Sequence, residues 1–190
     1  DNDNSIIVPD TVESIGRSAF SSGANITEIT IPFIGQKLDG SYPFGFIFGG
    51  SNGISIHVDG SVYWIPSSLK KVAVTKQTQV QNYAFAECAK FEEILLPTNI
   101  TSIGESAFYH CSSLKQINIG NEVESIGSYA FYGCSSLSKL NSEQDGVFNI
   151  PTGITTINYN TFYGCTLLEE VTVGTGITSI GTDAFNDCVN

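Results

Sequence analysis

Cations are the scarcest feature of this sequence. Eight Lys and Arg stand against nineteen Asp and Glu in 190 residues, for a net charge of −11. A surface of that sign repels phosphate, so the reading excludes nucleic acid and anionic membranes as partners. Charged residues of both signs are only 14% of the chain, Met is absent, Trp occurs once and His twice. No apolar run approaches the ~18 residues that a membrane-spanning helix needs, so insertion into a bilayer is not expected. No Cys-x-x-Cys pair occurs, and no His stands at metal-ligand spacing from a Cys, which removes the common zinc sites. Nor is there a Gly-rich phosphate loop, so no cofactor is expected. The chain opens at Asp1 without Met or a leader, as a mature or trimmed chain does. What is plentiful is Gly, Phe, Ile, Ser and Thr, the residues of strands and turns.

Those residues recur with a period. Residues 103–114, Ile-Gly-Glu-Ser-Ala-Phe-Tyr-His-Cys-Ser-Ser-Leu, return at 126–137 as Ile-Gly-Ser-Tyr-Ala-Phe-Tyr-Gly-Cys-Ser-Ser-Leu, an offset of 23. Self-similarity at a fixed period of this size marks a solenoid. A phenylalanine serves as phase marker at Phe20, Phe85, Phe108, Phe131, Phe162 and Phe185, with Phe48 a weaker seventh. Five residues earlier stands an aliphatic residue, usually followed by Gly, as in Ile103-Gly104 and Ile126-Gly127. Nine and eleven residues later come aliphatic pairs such as Ile117 and Ile119, a period-2 alternation that places both on one face of a short strand.

One such strand is too short to stand alone, and stacking it in parallel on its neighbours satisfies its backbone groups. The Ile-Gly step is expected to turn the chain through a backbone conformation open to glycine. The Ala-Phe to Cys segment is expected to form a short helical or 3-10 turn that drives Phe into the column. The expected fold is an α/β repeat solenoid, with a parallel β-sheet on one face and short helical turns on the other. It forms a single domain over residues 1–190, of about seven units, with insertions near 33–66 and 141–148.

The pattern Ile-Pro…Ser-Ile-Gly-x-x-Ala-Phe-x-x-Cys-x-x-Leu-x-x-Ile resembles the leucine-rich repeats of BspA-type surface proteins. The resemblance is close over 76–190 and 6–32 and looser over 33–75. It implies an extracellular, cell-surface or secreted protein involved in adhesion or host-component binding. The expected role is a non-catalytic binding and adhesion module for a host or neighbouring-cell protein or glycan.

Several motifs dissolve once the repeat is recognised. Cys88, Cys111, Cys134, Cys165 and Cys188 each follow a marker by three residues, so they track the repeat and read as a ladder of buried, unpaired thiols. Ser67-x-x-Lys70, Ser112-x-x-Lys115 and Ser136-x-x-Lys139 match a catalytic serine–lysine dyad, but recurrence at one phase makes them a turn consensus. Asn141-x-Glu143-x-Asp145-Gly146 begins like a calcium loop but carries Thr152 at position twelve, where Glu is required. His57 and His110 have no acid or nucleophile partner in the sequence and read as solvated. Asn25 and Asn99 open glycosylation sequons.

Three surfaces are candidates for a partner. The irregular stretch gathers Tyr42, Phe44, His57, Tyr63 and Trp64, and solenoid insertions often form the binding face. The loop from Ser51 to Tyr63 is expected to project from the column, although a self-packed hairpin whose aromatics cover the column fits the same residues. Outward strand residues such as Glu93, Leu95, Gln116 and Asn118 form the second surface. The third is the row Tyr109, Tyr132 and Tyr163, one residue after successive markers, where lateral packing of each Tyr on the next is the alternative. A purely structural spacer or self-assembling array is the competing function. The chain stops soon after Cys188 without a closing strand, and Ile6-Ile7-Val8-Pro9 reads as the last strand of a unit. A segment of a longer array, or head-to-tail self-association, is therefore expected.

Overall fold

The computed structural model describes residues 4–21, 25–49, 53–58, 60–141 and 147–188. The aliphatic pairs form a parallel sheet of eight strands running the length of the column. Their order is Ser5–Ile7, Glu28–Ile31, Lys71–Val74, Glu93–Leu95, Gln116–Ile117, Lys139–Leu140, Val147–Asn149 and Glu170–Thr172. Period-2 alternation sets the two faces: Ile29, Val72, Ile94, Ile117 and Leu140 are buried, while Glu28, Leu95, Gln116 and Glu170 are exposed. A second parallel ladder runs beside the sheet through the Ser-Ile steps, pairing Gln79–Val80, Ser102–Ile103 and Ser125–Ile126. It resumes between Thr156–Ile157 and Ser179–Ile180. The result is a leucine-rich repeat β-solenoid of about seven turns.

The helical face expected opposite the sheet is not there. Among the described residues the only helix is a single 3-10 turn, Phe44–Ile47. Helices pack about 8–10 Å apart, twice the ~4.8 Å rise that parallel strands impose on each unit, so a helix in every unit would splay that side and curve the column, whereas turns keep both sides in step. The chain instead divides its amides. The amides of Ser106, Phe108 and His110 donate to the carbonyls of Ser128, Ala130 and Tyr132 in the next unit, at 2.8–3.0 Å. The amides between them, of Ala107, Tyr109 and Cys111, donate within their own unit to the carbonyls of Gly104, Ser106 and Phe108. This alternation needs a left-handed residue two before and two after each marker: Ser106 and His110, Tyr129 and Gly133, Asp183 and Asp187 all have positive φ. The marker rings then stack in parallel, 5.5 Å from Phe85 to Phe108 and 5.0 Å from Phe108 to Phe131.

The glycine of the Ile-Gly step also differs from expectation. Gly104 and Gly127 are not in the left-handed region; a Cβ on Gly127 would lie 2.5 Å from the Glu105 nitrogen, and one on Gly104 would lie 2.5 Å from the Asn82 nitrogen. The residue is small because the backbone of the preceding unit presses against it. Four of the five cysteines are buried and all are unpaired. The thiols of Cys111, Cys134, Cys165 and Cys188 donate to the carbonyls of Phe85, Phe108, Phe131 and Phe162, at 3.1–3.4 Å, so each sulfur ties its unit to the backbone of the preceding marker.

Neither insertion is a free loop where it is described. In the first, Ile54–Val58 and Ser61–Ile65 pair as an antiparallel hairpin with Ile56 opposite Tyr63 and Ser55 opposite Trp64. Ile56, Val58 and Ile65 are buried, so the hairpin packs down on the column instead of projecting. Residues 51, 52 and 59 of the proposed projecting loop lie outside the described residues. The second insertion delivers Val147–Asn149 as an additional strand between Lys139–Leu140 and Glu170–Thr172. Residues 142–146, and with them most of the calcium-like motif, lie outside the described residues.

Candidate functional site

The aromatics of the irregular stretch divide by depth. Phe44 is fully buried and touches Phe48, Phe85 and Phe91 at ring distances of 5.3–5.4 Å, so it is core and cannot present itself to a partner. Tyr63 lies on the inward face of the hairpin and packs against the core, beside Gly45. Trp64 is half-buried on the outward face together with the exposed His57 and Val62. Tyr42 is exposed and lies flat on Phe46, with centroids 4.2 Å apart. The self-packed hairpin accounts for Tyr63, and the 3-10 turn places Phe44 in the core.

The tyrosine row is more extensive than its three sequence positions. Tyr109, Tyr132 and Tyr163 stack at 5.1 and 4.7 Å with planes within 15°. His110 is not simply solvated: its ring lies 4.2 Å from Tyr109 and 5.5 Å from Tyr132, nearly parallel to both. Tyr129 leans on Tyr132 at 5.8 Å, and the exposed Tyr159 meets Tyr129 edge-on at 5.2 Å. Six rings thus form one continuous surface on the turn face, half-buried except for Tyr159. Sequence reasoning found three of them; aligning every turn position, and not only the one after the marker, would have added Tyr129 and Tyr159.

The row sits in a negative field. The hydroxyl of Tyr163 donates to the Asp187 carboxylate, and that bond and charge push its pKa to about 12. Burial, then neighbours that include Glu87, raises Tyr109. Tyr129 is raised first by its hydrogen bond to Tyr159.

The sheet face offers less. A recess of about 180 Å³ opens where the strands Glu93–Leu95 and Gln116–Ile117 pair only through Glu93 and Gln116, lined also by Leu95, Asn118 and Asn141. Ion pairs cross this side: Lys70 to Glu92 at 3.2 Å, Lys115 to Glu92 at 2.6 Å and Lys71 to Glu93 at 2.9 Å. Lys115 first and Lys70 second hold the Glu92 carboxyl below its ordinary range. Exposed pairs of this kind contribute little to stability and occupy cations that a ligand would need. Among the described residues no group of three or more His, Cys, Asp or Glu is placed to hold a metal ion, and no helix is long and apolar enough to cross a membrane.

Sheet, turn ladder and buried thiols define a repeat solenoid with its chemistry on the surface. The profile of the BspA type leucine rich repeat region matches residues 2–68 and 145–190, in six copies, more than half of the chain. The chain belongs to the BspA-type leucine-rich repeat family, whose members are typically surface or secreted proteins and generally non-catalytic. Solved bacterial structures share the fold. A T. pallidum leucine-rich repeat protein is similar over 97% of this chain and 76% of its own, at 21% identity and a TM-score of 0.63. A Bacteroides ovatus leucine-rich repeat protein is similar over 93% of this chain and 47% of its own, at 23% identity and a TM-score of 0.57. One from Eubacterium ventriosum covers 98% of this chain and 44% of its own, at 14% identity and a TM-score of 0.54. The chain therefore spans under half the length of the last two. No curated protein matches the sequence.

Proposed function

We propose that this chain is a non-catalytic recognition module of a secreted or cell-surface protein, and that its partner is a protein held on the six-ring row of the turn face. The observation behind this reading is the continuity of the row: rings from three successive units meet at 4.2–5.8 Å and remain open to solvent on one side. Tyrosine joins a broad apolar contact to a hydroxyl at low entropic cost, which is why it concentrates in binding surfaces. A glycan stacks on ring faces, but Tyr109, His110, Tyr132 and Tyr163 turn faces toward one another, which leaves mainly their edges and hydroxyls for a partner. That geometry favours a polypeptide.

The test is a binding screen of the isolated chain against extracellular-matrix proteins and glycans, followed by Tyr132→Ser. A protein partner whose affinity falls at least about tenfold in Tyr132→Ser, with the circular dichroism spectrum retained, supports the reading. An unchanged affinity moves the site to the sheet or the hairpin. Absence of any partner favours the structural spacer.

A further inference from the structure

From residue 80 onward the turn face carries charge of one sign only, whereas the rest of the molecule mixes both. From the aliphatic residue to the cysteine, the turns 80–88, 103–111, 126–134, 157–165 and 180–188 contain no Lys or Arg, but they contain Glu87, Glu105, Asp183 and Asp187. The three cations beyond Gln77 are Lys90, Lys115 and Lys139, and all follow the cysteine position, toward the sheet. The carboxylates lie at the two ends of the aromatic row. Glu87 and Glu105 belong to the units at its start, beside Tyr109 and Tyr129, while Asp183 and Asp187 flank Tyr163 at its finish. Glu105, Asp183 and Asp187 are exposed and Glu87 is half-buried.

From this arrangement we infer that the row receives an extended, basic segment of a protein, with a Lys or Arg near each end and uncharged residues between. The inference rests on the row being the partner surface. Its length follows from the stacking: four layers of 5.0–5.5 Å separate the Glu87 unit from the Asp187 unit, about 20 Å, which an extended chain spans in about six residues. The turn amides that run along the column already donate to the next unit, so the segment is held by side chains and not by addition of a strand. Terminal cations meet the carboxylates, and the middle of the segment lies on the ring edges and accepts from the hydroxyls of Tyr109 and Tyr132, that of Tyr163 being held by Asp187. Charge complementarity of this kind mainly fixes register and speeds encounter, so binding must depend on salt.

The probe is the capped peptide Arg-Thr-Val-Thr-Val-Arg, with Gln-ended and Glu-ended versions as controls, titrated at low and high salt while resonances of the His110 ring are followed. The Arg-ended peptide is expected to bind at least about tenfold more tightly than the Gln-ended one at low salt, to lose most of that advantage at high salt, and to shift His110. The triple variant Glu87→Gln, Glu105→Gln, Asp183→Asn should bring the Arg-ended and Gln-ended peptides level. Equal binding of the three peptides to the native chain, or no binding of the Arg-ended one, overturns the inference. If Tyr132→Ser leaves Arg-peptide binding unchanged, the row itself is not the surface. If Tyr132→Ser abolishes binding of a partner from the screen while peptide charge has no effect, the row stands and only the assigned partner chemistry fails.

Discussion

Between Phe85 and Phe185 the marker rings stack with planes within 11° of parallel, whereas between Phe20 and Phe85 they meet at 35–51° and Phe91 is added edge-on. The later half fills its core by register: each ring, thiol and glycine repeats the position of the one before. The earlier half fills the same volume without that repetition. It places Phe44 at the start of a 3-10 turn and Phe48 at its C-cap, and it closes the side of the column with a hairpin. Insertions show the same division. The 31-residue step from Phe131 to Phe162 still stacks its rings at 5.4 Å, because the surplus enters the sheet as one more strand. That strand widens the sheet side by about 4.8 Å relative to the turn side. Phe148 on its inner face, fully buried and edge-on to Phe162 at 5.5 Å, fills the wedge. A solenoid therefore tolerates added residues where they can join a ladder or bring their own apolar face.

The sharpest separation of the two halves should come from alkali, because every cysteine lies at or beyond residue 88. Burial raises the pKa of Cys88, Cys111, Cys134 and Cys165. A thiol that stays neutral in the fold but ionises once unfolded contributes stability in full below the unfolded pKa, near 9, and loses it as pH climbs toward the folded value. Each such thiol costs about 1.4 kcal/mol per pH unit above that point, so four together cost about 5–6 kcal/mol per unit, enough to unfold an ordinary domain by pH 11. Urea denaturation at stepped pH from 8 to 10.5 measures the slope, and Cys111→Ala should reduce it by about one quarter. An undiminished slope would place the alkaline loss elsewhere. At neutral pH a thiol reagent should label only the half-buried Cys188 quickly.

The insertions can be compared by removing one ring from each. Phe148→Ala should cost about 3–5 kcal/mol, since the ring occupies a layer that cannot collapse while its strand remains paired on both sides. Trp64→Ala, on the outward face of the hairpin, should cost under about 1 kcal/mol. Chemical denaturation of the two variants decides. Similar losses would mean that the hairpin, too, carries its load on the outward face.

The period, the inward aliphatics, the thiol ladder and the marker column were all legible in the sequence, because a repeat states the same packing several times and chance agreement cancels. Hidden from it was the choice between helix and turn. Ser106, Tyr129, Asn160 and Asp183 are unlike one another and none is glycine, yet all adopt positive φ at one phase. The inter-unit ladder imposes that conformation against local preference. Irregular residues were legible only as irregular. Phe44 and Trp64 both read as candidate anchors, and only the register of the hairpin and the position of the 3-10 turn separate a core ring from a surface one. The tyrosine row was visible in part, because three of its members repeat at the marker's phase while Tyr129 and Tyr159 occupy neighbouring phases.

The smallest expected effects come from the same motif in the two halves. Ile15-Gly16 and Ile126-Gly127 are identical pairs of the repeat, and neither glycine has positive φ. A Cβ on Gly127 would lie within 2.7 Å of the Glu105 nitrogen and Cα and of the Gly104 carbonyl carbon, all backbone atoms held in the ladder, whereas one on Gly16 would meet nothing within 4 Å. Gly127→Ala must push two units apart and should cost about 1–3 kcal/mol. Gly16→Ala should stabilise the chain by about 0.4–1 kcal/mol, because alanine narrows the unfolded ensemble and the folded backbone accepts it. Opposite signs in thermal denaturation would show that glycine recurs at this step to let backbones approach. Equal losses at both positions would return the explanation to backbone conformation, and the close approach at Gly127 would then be incidental.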